Sequence, residues 1–447
     1  MDIAIIGGGI TGLTAAYELT KKGHHVVVFE RDPVLGGLAH GFKRKGWDWS
    51  LEKTYHHLFT NDNAIINLID ELGIHDKLII KRPITATLFT LKGEAFKGSP
   101  QIFQLDSPTN LLSFPLLSPI DKLRTGTLLA FLKLNPFWQP LESITAQKLF
   151  TFWGGSTSWR ILWEPLMVGK FGEFAPTIQA AWLWARIKKR TPSLVYIEGG
   201  FQTFIQTLAN TISLQGGIIY TNTQVMSIKK STNSKSANLQ IAYKKFRNNL
   251  SFDICHLSFD KVLLTTPSPI AFKLLPKVRS TMNDQQSTSP IPHLHAQVLV
   301  LETRKPILQD VYWLSITDRT FPFLAVVAHT NFMDKKHYGN HHLTYVGNYL
   351  PDNHPYLSMT KEQLLKKFLP FIKRITDDEL RITNSYVFTA PFAQPVHQLH
   401  YSKRAPKLVT PIPGVFLANM DSIYPWDRGT NYAVELGQKA AKTIENL

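Results

Sequence analysis

The feature that most constrains the fold is a turn of closely spaced glycines between a short apolar run and a helical pattern. Residues 2–6 form the apolar run, four glycines lie within 7–12, and Ala and Leu recur at helical spacing over 13–22. A second apolar run covers 25–29. Short continuous apolar runs are typical of buried parallel strands. The sequence therefore predicts a complete strand–helix–strand unit over residues 1–30.

The glycine spacing of this turn is that of a dinucleotide-binding motif. Gly7-x-Gly9-x-x-Gly12 lets a pyrophosphate approach the backbone at the positive end of the following helix. Glu30 follows the last glycine by 18 residues, where a carboxylate can accept both ribose hydroxyls of an adenosine. A carboxylate here disfavours a 2′-phosphate, so FAD or NAD is predicted in preference to NADP. The predicted contacts in this turn are Gly7, Gly8, Gly9, Thr11 and Gly12.

A second pair of glycines, Gly36 and Gly37, follows Glu30 closely. The chain must pass near an extended ligand there, which favours FAD over NAD. This arrangement resembles the flavoprotein superfamily of amine oxidases, protoporphyrinogen oxidases and phytoene desaturases, whose members continue the dinucleotide motif with a Gly-Gly turn beside the flavin's pyrophosphate and ribityl chain. The resemblance implies FAD as the cofactor, with further contacts at Arg31, Gly36, Gly37 and Leu38.

Further motifs of that superfamily recur in the same order along the chain. The run from Glu198 to Phe201 is similar to its Gly-Gly step into a helix, and 262–267 is similar to its returning strand. Residues 414–421 and 428–435 resemble its final strand and its flavin-facing helix, whose first amides would point at the pyrimidine edge of the flavin. The resemblance implies cofactor contacts at Val225, Thr266, Asp421, Asn431 and Tyr432.

Departures from the superfamily pattern limit which reaction and which mode of flavin binding are predicted. Val34 stands where many members carry a basic residue, and Ala418-Asn419-Met420 stands where Ala-Gly-Asp is common. No lysine aligns with the one that amine oxidases hold near flavin N5, which weighs against amine oxidation. The C-terminal motif also lacks the cysteine that tethers flavin in some members, and the chain has a single cysteine, Cys255. FAD is therefore predicted to be bound non-covalently.

Two adjacent histidines after the glycine pair, His56 and His57, are the predicted catalytic residues. Each could carry protons or stack on the flavin. Consecutive strand residues face opposite ways, so at most one reaches the ring, and a structural hydrogen bond is the alternative role for either. The run from His57 to Asp62 also resembles the histidine-bearing segment of UDP-galactopyranose mutases, which use reduced FAD without net oxidation.

Two enzymatic functions follow from these resemblances. The first is an FAD-dependent oxidoreductase that removes a hydride from a largely apolar small molecule, as protoporphyrinogen oxidases and phytoene desaturases do. The alternative is a non-redox flavoenzyme of the UDP-galactopyranose mutase type that acts on a nucleotide sugar. No metal site is predicted. Further polar candidates for the site are His329, Asn331, Asn348, Tyr349 and Gln394.

The predicted fold class is α/β, with a Rossmann-like FAD-binding domain interleaved with a mixed α+β substrate domain. The FAD-binding domain is predicted from residues 1–85, 196–272 and 386–447, and the substrate domain from 86–195 and 273–385. Residues 86–195 are rich in Leu, Phe and Trp at helical spacing, whereas 290–350 alternate as a sheet does. The tryptophans of this region are predicted to be core more than ligand cage: Trp153, Trp159, Trp163, Trp182 and Trp184.

A net charge of +16, from 49 Lys and Arg against 33 Asp and Glu, suits an anionic ligand or surface. No nucleic-acid-binding motif accompanies it, so no nucleic-acid partner is predicted. The lack of a signal peptide pattern and the single cysteine predict a cytoplasmic location. The Leu- and Phe-rich residues 111–138, with Lys122, Arg124 and Lys133, are predicted to be a peripheral membrane-contact or substrate-entry element, and helix core is the alternative.

Overall fold

The computed structural model describes residues 1–90, 100–230, 239–247, 250–251, 254–275, 290–376 and 379–447. Its α-helices are α1 Ile10–Lys21, α2 Asn63–Glu71, α3 Pro108–Ser113, α4 Pro119–Leu134, α5 Ala146–Leu149, α6 Ser156–Ser158, α7 Glu164–Phe171, α8 Ala180–Lys189, α9 Phe201–Leu214, α10 Ser268–Leu274, α11 Lys361–Ile372 and α12 Thr430–Asn446. Its strands are β1 Asp2–Ile6, β2 His25–Phe29, β3 Gly41–Phe42, β4 Leu51–Glu52, β5 Leu58–Phe59, β6 Leu78–Lys81, β7 Ile84–Thr90, β8 Pro100–Gln104, β9 Leu194–Ile197, β10 Ile218–Tyr220, β11 Thr223–Lys230, β12 Leu239–Arg247, β13 Leu250–Ser251, β14 Cys255–Phe259, β15 Lys261–Leu264, β16 His293–Thr303, β17 Val311–Ile316, β18 Ala325–Ala328, β19 His342–Leu350, β20 Ile382–Pro395 and β21 Val415–Leu417.

A five-stranded parallel sheet in the order β10-β2-β1-β15-β21 carries the glycine turns. Alternate residues of β1 face opposite layers. Ile3 and Ile5 pack on α1, α9 and α12, whereas Ala4 and Ile6 pack on α10 and on strands β11, β12 and β14. Both faces are covered, which explains why the strands are apolar throughout. The predicted strand–helix–strand unit and the α/β fold class are confirmed.

A seven-stranded sheet in the order β20-β16-β19-β18-β17-β7-β8 forms the second layered unit. One face packs on α11, where Leu299 and Phe368 share a core. The other face contributes Val298 and Val300 to the same core as α1 and the parallel sheet. The alternating sequence of 290–350 therefore forms strands as predicted, and both sheets share one continuous apolar interior.

Helices α3–α8 form a third part, with π-helical segments Phe150–Gly154 and Trp159–Trp163 around α6. Trp159, Trp182 and Trp184 are buried in its core, and Trp163 packs at the edge of that core. The core role predicted for these four tryptophans is confirmed. For Trp153 it is wrong, since this side chain is 61% exposed. The reason is that Phe150 and Gly154 occupy the buried side of the same helical turn.

The structure bears on where the two domains divide. β20 pairs with β16 from Ile382 to Pro395, and this pairing crosses the predicted boundary at 386. A strand that is hydrogen-bonded along its length belongs with its sheet. We therefore propose that the substrate domain extends to Pro395, and the remaining predicted boundaries stay proposals. The polar stretch 229–252, a predicted hairpin or loop, falls partly in β11, β12 and β13, and its residues 231–238, 248–249 and 252 lie outside the described residues.

Gly437 of α12 marks the contact between α12 and α1. A Cβ there would lie 2.6 Å from the Thr11 carbonyl oxygen and 2.7 Å from the Thr14 Cβ. We expect Gly437→Ala to lower the free energy of unfolding by about 1–3 kcal/mol, because the helices must separate to admit the methyl group. Gly126→Ala in α4 is the control, since its nearest atom is 3.8 Å away. Chemical denaturation measures both variants, and equal losses would contradict the packing argument.

Candidate functional site

Two glycine turns meet backbone to backbone where β1 and β2 end. Gly9 and Gly36 form a parallel bridge, and the Gly36 amide donates to the Gly8 carbonyl oxygen over 2.8 Å. A Cβ at Gly37 would lie 3.2 Å from the Gly9 Cα. Gly36 and Gly37 also have φ values of 115° and 57°, in the region that favours glycine. The two predicted glycine motifs therefore lie side by side.

The N-terminus of α1 presents free amides next to these turns. α1 follows Gly9 with no side-chain cap and no acidic residue in its first turn. The amide of Leu13 bonds to the Gly9 carbonyl oxygen at 2.9 Å, so the amides of residues 10–12 precede the first intrahelical bond. Thr11 lies in this turn and is partly exposed. This positive helix end fits the pyrophosphate of a dinucleotide.

The carboxylate of Glu30 lies at the end of β2 beside the first glycine turn. Its Oε2 accepts the Gly8 amide at 2.7 Å and its Oε1 accepts the Asp32 amide at 2.8 Å. Burial raises the pKa of this carboxyl, while the two backbone donors lower it. Each oxygen keeps a further lone pair for a ribose hydroxyl. Arg31 is exposed and contacts Asp32, so its cofactor role stays a prediction.

The opposite wall contains an unpaired buried hydroxyl. Thr266 follows β15, and its methyl group would lie 3.6 Å from a Cβ placed on Gly7. The Thr266 hydroxyl is buried and has no hydrogen-bond partner within the described structure. A buried polar group of this kind is normally satisfied by a ligand or a water molecule. Val225 is buried in β11 opposite Tyr243. The residues present on this wall therefore fit a polar dinucleotide.

The start of α12 has the same character as the start of α1. It follows Gly429, which provides no side-chain cap, and the Ala433 amide bonds to the Gly429 carbonyl oxygen at 3.0 Å. The amides of Asn431 and Tyr432 precede that bond and suit a group that becomes negative. The Asn431 side chain is engaged elsewhere, because its Oδ1 accepts the Ala64 amide of α2 at 2.9 Å. Its predicted contact is thus through the backbone.

The remaining predicted cofactor residues at this end have structural partners of their own. Asp421 Oδ1 lies 2.7 Å from His293 Nε2, while Asp421 Oδ2 is buried without a hydrogen-bond partner in the described structure. The Tyr432 ring stacks on Trp426 with centroids 5.8 Å apart. One oxygen of Asp421 is therefore committed to a histidine, and the other is available to a ligand.

A small cavity of about 20 Å³ opens where the second glycine turn meets the seven-stranded sheet. It is lined by Leu38, Thr54, Tyr55, His56, Ala296, Val298, Tyr349, Ala390, Ala393 and Arg428. Tyr55 stands edge-on to Trp313 with ring centroids 4.9 Å apart, which fixes its orientation. Because Leu38 directly follows the glycine pair, the residues that line this cavity mark the candidate position for the reaction partner of a flavin.

The two predicted catalytic histidines differ in position. His56 lines the cavity and its Nδ1 lies 2.7 Å from the Thr54 carbonyl oxygen, whereas the Nδ1 of His57 lies 3.1 Å from the Tyr312 hydroxyl. Burial lowers the pKa of His56 to about 4 and that of His57 to about 3. Both rings are therefore neutral at pH 7 and cannot donate a proton as imidazolium. These values favour the structural alternative, and a catalytic role stays a prediction.

Sequence reasoning missed a charged cluster beside the cavity. Asp427 accepts the Trp182 indole N–H at 3.0 Å and the Arg186 guanidinium at 2.7 Å, and Lys170 Nζ lies 3.7 Å away. Burial raises the pKa of Asp427, but the cations Lys170, Arg186 and Arg428 outweigh it and hold that pKa well below its usual range. The carboxylate is therefore ionised. The one feature of the sequence that could have indicated this cluster is the pair of oppositely charged neighbours, Asp427 and Arg428, before α12.

Arg428 connects this cluster to the cavity wall. Its Nε donates to Gln394 Oε1 at 2.8 Å and its Nη2 donates to the Tyr349 hydroxyl. Gln394 and Tyr349 are thus the predicted polar candidates that the structure brings to the site. The others make buried structural bonds: Asn348 to the Pro322 carbonyl, His329 to the Tyr338 hydroxyl, and Asn331 to the Leu308 carbonyl.

Comparisons with known proteins agree with this geometry. The family model described as flavin containing amine oxidoreductase matches residues 10–444. Zeta-carotene desaturase from Arabidopsis thaliana is 26% identical over 280 residues, which are 53% of this chain and 48% of that protein. The chain thus spans about half the length of this curated relative. The superfamily resemblance found in the motifs is confirmed.

Two solved structures share the fold over nearly their whole length. A provisionally assigned protoporphyrinogen oxidase from Exiguobacterium sp. 255-15 gives a TM-score of 0.73 at 17% identity, over 100% of this chain and 98% of that one. Reduced UDP-galactopyranose mutase gives a TM-score of 0.72 at 14% identity, over 100% of this chain and 95% of that one. At these identities the similarity shows the fold alone.

We expect Glu30→Ala to weaken FAD binding by about one to two decades, because a hydrogen bond to a charged acceptor contributes roughly 1.5–3 kcal/mol. Fluorescence titration of the apoprotein with FAD measures the dissociation constant. Glu71→Ala is the control, since it removes an exposed carboxylate that pairs with Lys21. An unchanged constant in Glu30→Ala would mean that Glu30 does not bind the ribose.

Proposed function

Because the chain belongs to the flavin-containing amine oxidoreductase family, we propose that it binds FAD non-covalently and removes a hydride from a largely apolar small molecule. The observation that supports this most is the cavity beside Leu38, which lies between the glycine turns and the seven-stranded sheet. When bound, FAD supplies the hydride acceptor. The chain's own residues must then orient the substrate and exclude water.

The lining of the cavity suits those two tasks. Ala296, Val298 and Ala393 provide a small aliphatic wall, and Tyr55 provides a rigid aromatic one. Burial raises the pKa of Tyr55 well above its usual range, so its hydroxyl stays neutral. His56 is also neutral. A reaction partner in this space therefore meets apolar surface and uncharged hydrogen-bonding groups on this side.

One helix of the third part of the fold offers an outward apolar face. In α4, Thr125, Leu128 and Leu132 are buried, whereas Ile120, Leu123, Phe131 and Leu134 are exposed. At 3.6 residues per turn these four exposed side chains fall within an arc of about 80°. Such a stripe is unfavourable in water and favourable at a lipid surface. Among the described residues no helix is long and apolar enough to cross a bilayer.

Cations on α4 bond to the backbone of three further residues with apolar side chains. Arg124 donates to the carbonyl oxygens of Phe152 and Trp153, at 2.5 and 3.2 Å, and Lys122 donates to that of Leu112 at 2.6 Å. These three side chains are also exposed. We therefore propose that the face formed by Leu112, Ile120, Leu123, Phe131, Leu134, Phe152 and Trp153, called here the α4 face, contacts an anionic membrane surface.

The α4 face also has a structural link to the charged cluster. Lys133 donates to the carbonyl oxygens of Lys188 and Arg190, at 2.9 and 2.7 Å, which anchors α4 to the end of α8. α8 carries Arg186, which contacts Asp427 beside the cavity. The α4 face and the charged cluster therefore lie on two helices that are bonded to each other.

We expect the protein to co-sediment with phosphatidylglycerol vesicles and to bind phosphatidylcholine vesicles at least tenfold more weakly, because each basic residue near an anionic surface adds about 1 kcal/mol. The triple variant Leu123→Ser/Phe131→Ser/Leu134→Ser should lose binding. The matched control is Ile80→Ser/Ile254→Ser/Leu214→Ser, which alters exposed apolar residues on other elements. Equal sedimentation of the two variants would contradict the membrane role. So would a wild-type protein that binds neither kind of vesicle.

The charged cluster is the observation that favours the non-redox alternative, because guanidinium groups bind the phosphates of nucleotide sugars well.

Anaerobic exposure of the yellow holoenzyme to apolar lipid extract separates the two reactions. We expect the visible flavin absorbance to bleach with this extract and to persist with UDP-sugars. Acid precipitation should release the flavin into the supernatant. Isomerisation of a UDP-sugar by dithionite-reduced enzyme alone would overturn the proposal in favour of the alternative.

A further inference from the structure

The charged cluster beside the cavity has three basic side chains around a single acidic one. Lys170 and Arg186 contact Asp427, which is the one carboxylate paired with them among the described residues, and the charge of Arg428 also lowers the pKa of Asp427. Burial lowers the pKa of nearby His397 to about 4, so that ring adds no charge at pH 7. Asp427 thus faces Lys170 and Arg428 in the interior, and Arg186, whose side chain is 46% exposed, at the protein surface.

The bonding capacity of Asp427 is already used. Its Oδ1 accepts from Trp182 at 3.0 Å and from Gln394 at 3.3 Å, and its Oδ2 accepts from Arg186 at 2.7 Å. Lys170 is left with a 3.7 Å contact to that same Oδ2. An ammonium group carries three donors, so most of its hydrogen-bonding capacity is free for a further acceptor.

The surroundings of Lys170 form an aromatic cage with an opening. Its Nζ lies 4.8 Å from the Trp182 ring centroid and 5.0 Å from that of Tyr349, and its side chain keeps 12% of its surface exposed. Tyr349 lines the cavity, so the cage and the cavity share a wall. Burial lowers the pKa of Lys170 well below its usual range, and a neighbouring anion would restore the charged form.

We infer that this cluster binds an anionic group of the substrate, a carboxylate or a phosphate, through Lys170, Arg186 and Arg428. The inference rests on the proposed function, because it places the anionic group beside the cavity where the reaction would occur. A buried basic group is costly to charge, and an acceptor-rich anion beside Lys170 lowers that cost. The substrate is then an amphiphile, whose apolar part lies against the residues that line the cavity and whose anionic end lies at Lys170.

A purely structural role for the cluster makes a different prediction. In that case the cations only tie α7 and α8 to the loop before α12. Their removal would lower thermal stability without changing the affinity for any added anion. Titration of an anion against the purified holoenzyme therefore separates binding from structure, since the flavin absorbance reports on groups that enter the cavity beside it.

The experiment titrates holoenzyme of measured flavin content with sodium benzoate and, separately, with inorganic pyrophosphate at constant ionic strength. Benzyl alcohol is the uncharged control probe. We expect one anion to perturb the flavin spectrum saturably, and Lys170→Met and Arg186→Met to weaken it by about tenfold or more. Lys188→Met, whose Nζ bonds to the Lys133 carbonyl oxygen at 3.1 Å, is the control on α8 and should bind as wild type does.

The outcomes distinguish a carboxylate from a phosphate. They also distinguish failure of the anion site from failure of the proposed function. Saturation by benzoate alone assigns a carboxylate, and saturation by pyrophosphate alone assigns a phosphate. No saturable perturbation by either probe, or equal affinities in wild type, Lys170→Met and Arg186→Met, overturns the inference. If flavin is bound and bleached by the lipid extract while no anion binds, the proposed function stands and the anion site does not. If Lys170→Met fails to fold, Arg186→Met decides, since its side chain is 46% exposed.

Discussion

Close backbone contact between two glycine turns is the constraint on which the rest of the site depends. A Cβ on Gly37 would lie 3.2 Å from the Gly9 Cα, which is tighter than an ordinary contact, and Gly9 and Gly36 form a parallel bridge. This contact fixes the second turn against the start of α1. It thereby fixes Leu38, the next residue, at the wall of the cavity. The candidate dinucleotide track and the candidate cavity are thus connected by the three-residue step Gly36-Gly37-Leu38.

The sequence could predict this track because its information is local. Glycine spacing, the carboxylate at Glu30 and the apolar strands all lie within short windows, and each has a physical meaning without tertiary context. The exposed stripe of α4 is local as well, although the sequence alone could not tell which face of the helix was buried. The face became identifiable once Leu128 and Leu132 were seen to pack inside.

The charge states in the site could not be predicted in this way. As residue types, His56 and His57 are suited to proton transfer. Burial in the folded protein lowers their pKa values and so removes their charge. The cluster around Asp427 combines side chains from α7, α8 and the loop before α12, which no spacing rule connects. Electrostatics in a buried site depends on all neighbours at once, and neighbours are a property of the fold. Predictions from motifs are therefore better for cofactor binding than for catalysis.

The packing of α1 against α12 has a consequence for how the chain acquires its structure. Glu18 and Gln438 bond across 420 residues of sequence, and β21 closes the edge of the parallel sheet that β1 begins. The Rossmann unit therefore stays an incomplete, partly open layer during synthesis until segments from both ends of the described chain have come together. Such distant pairings slow folding and prolong the exposure of apolar surface. A flavin that binds the early glycine turns before that closure would act as a template for assembly as well as a reagent.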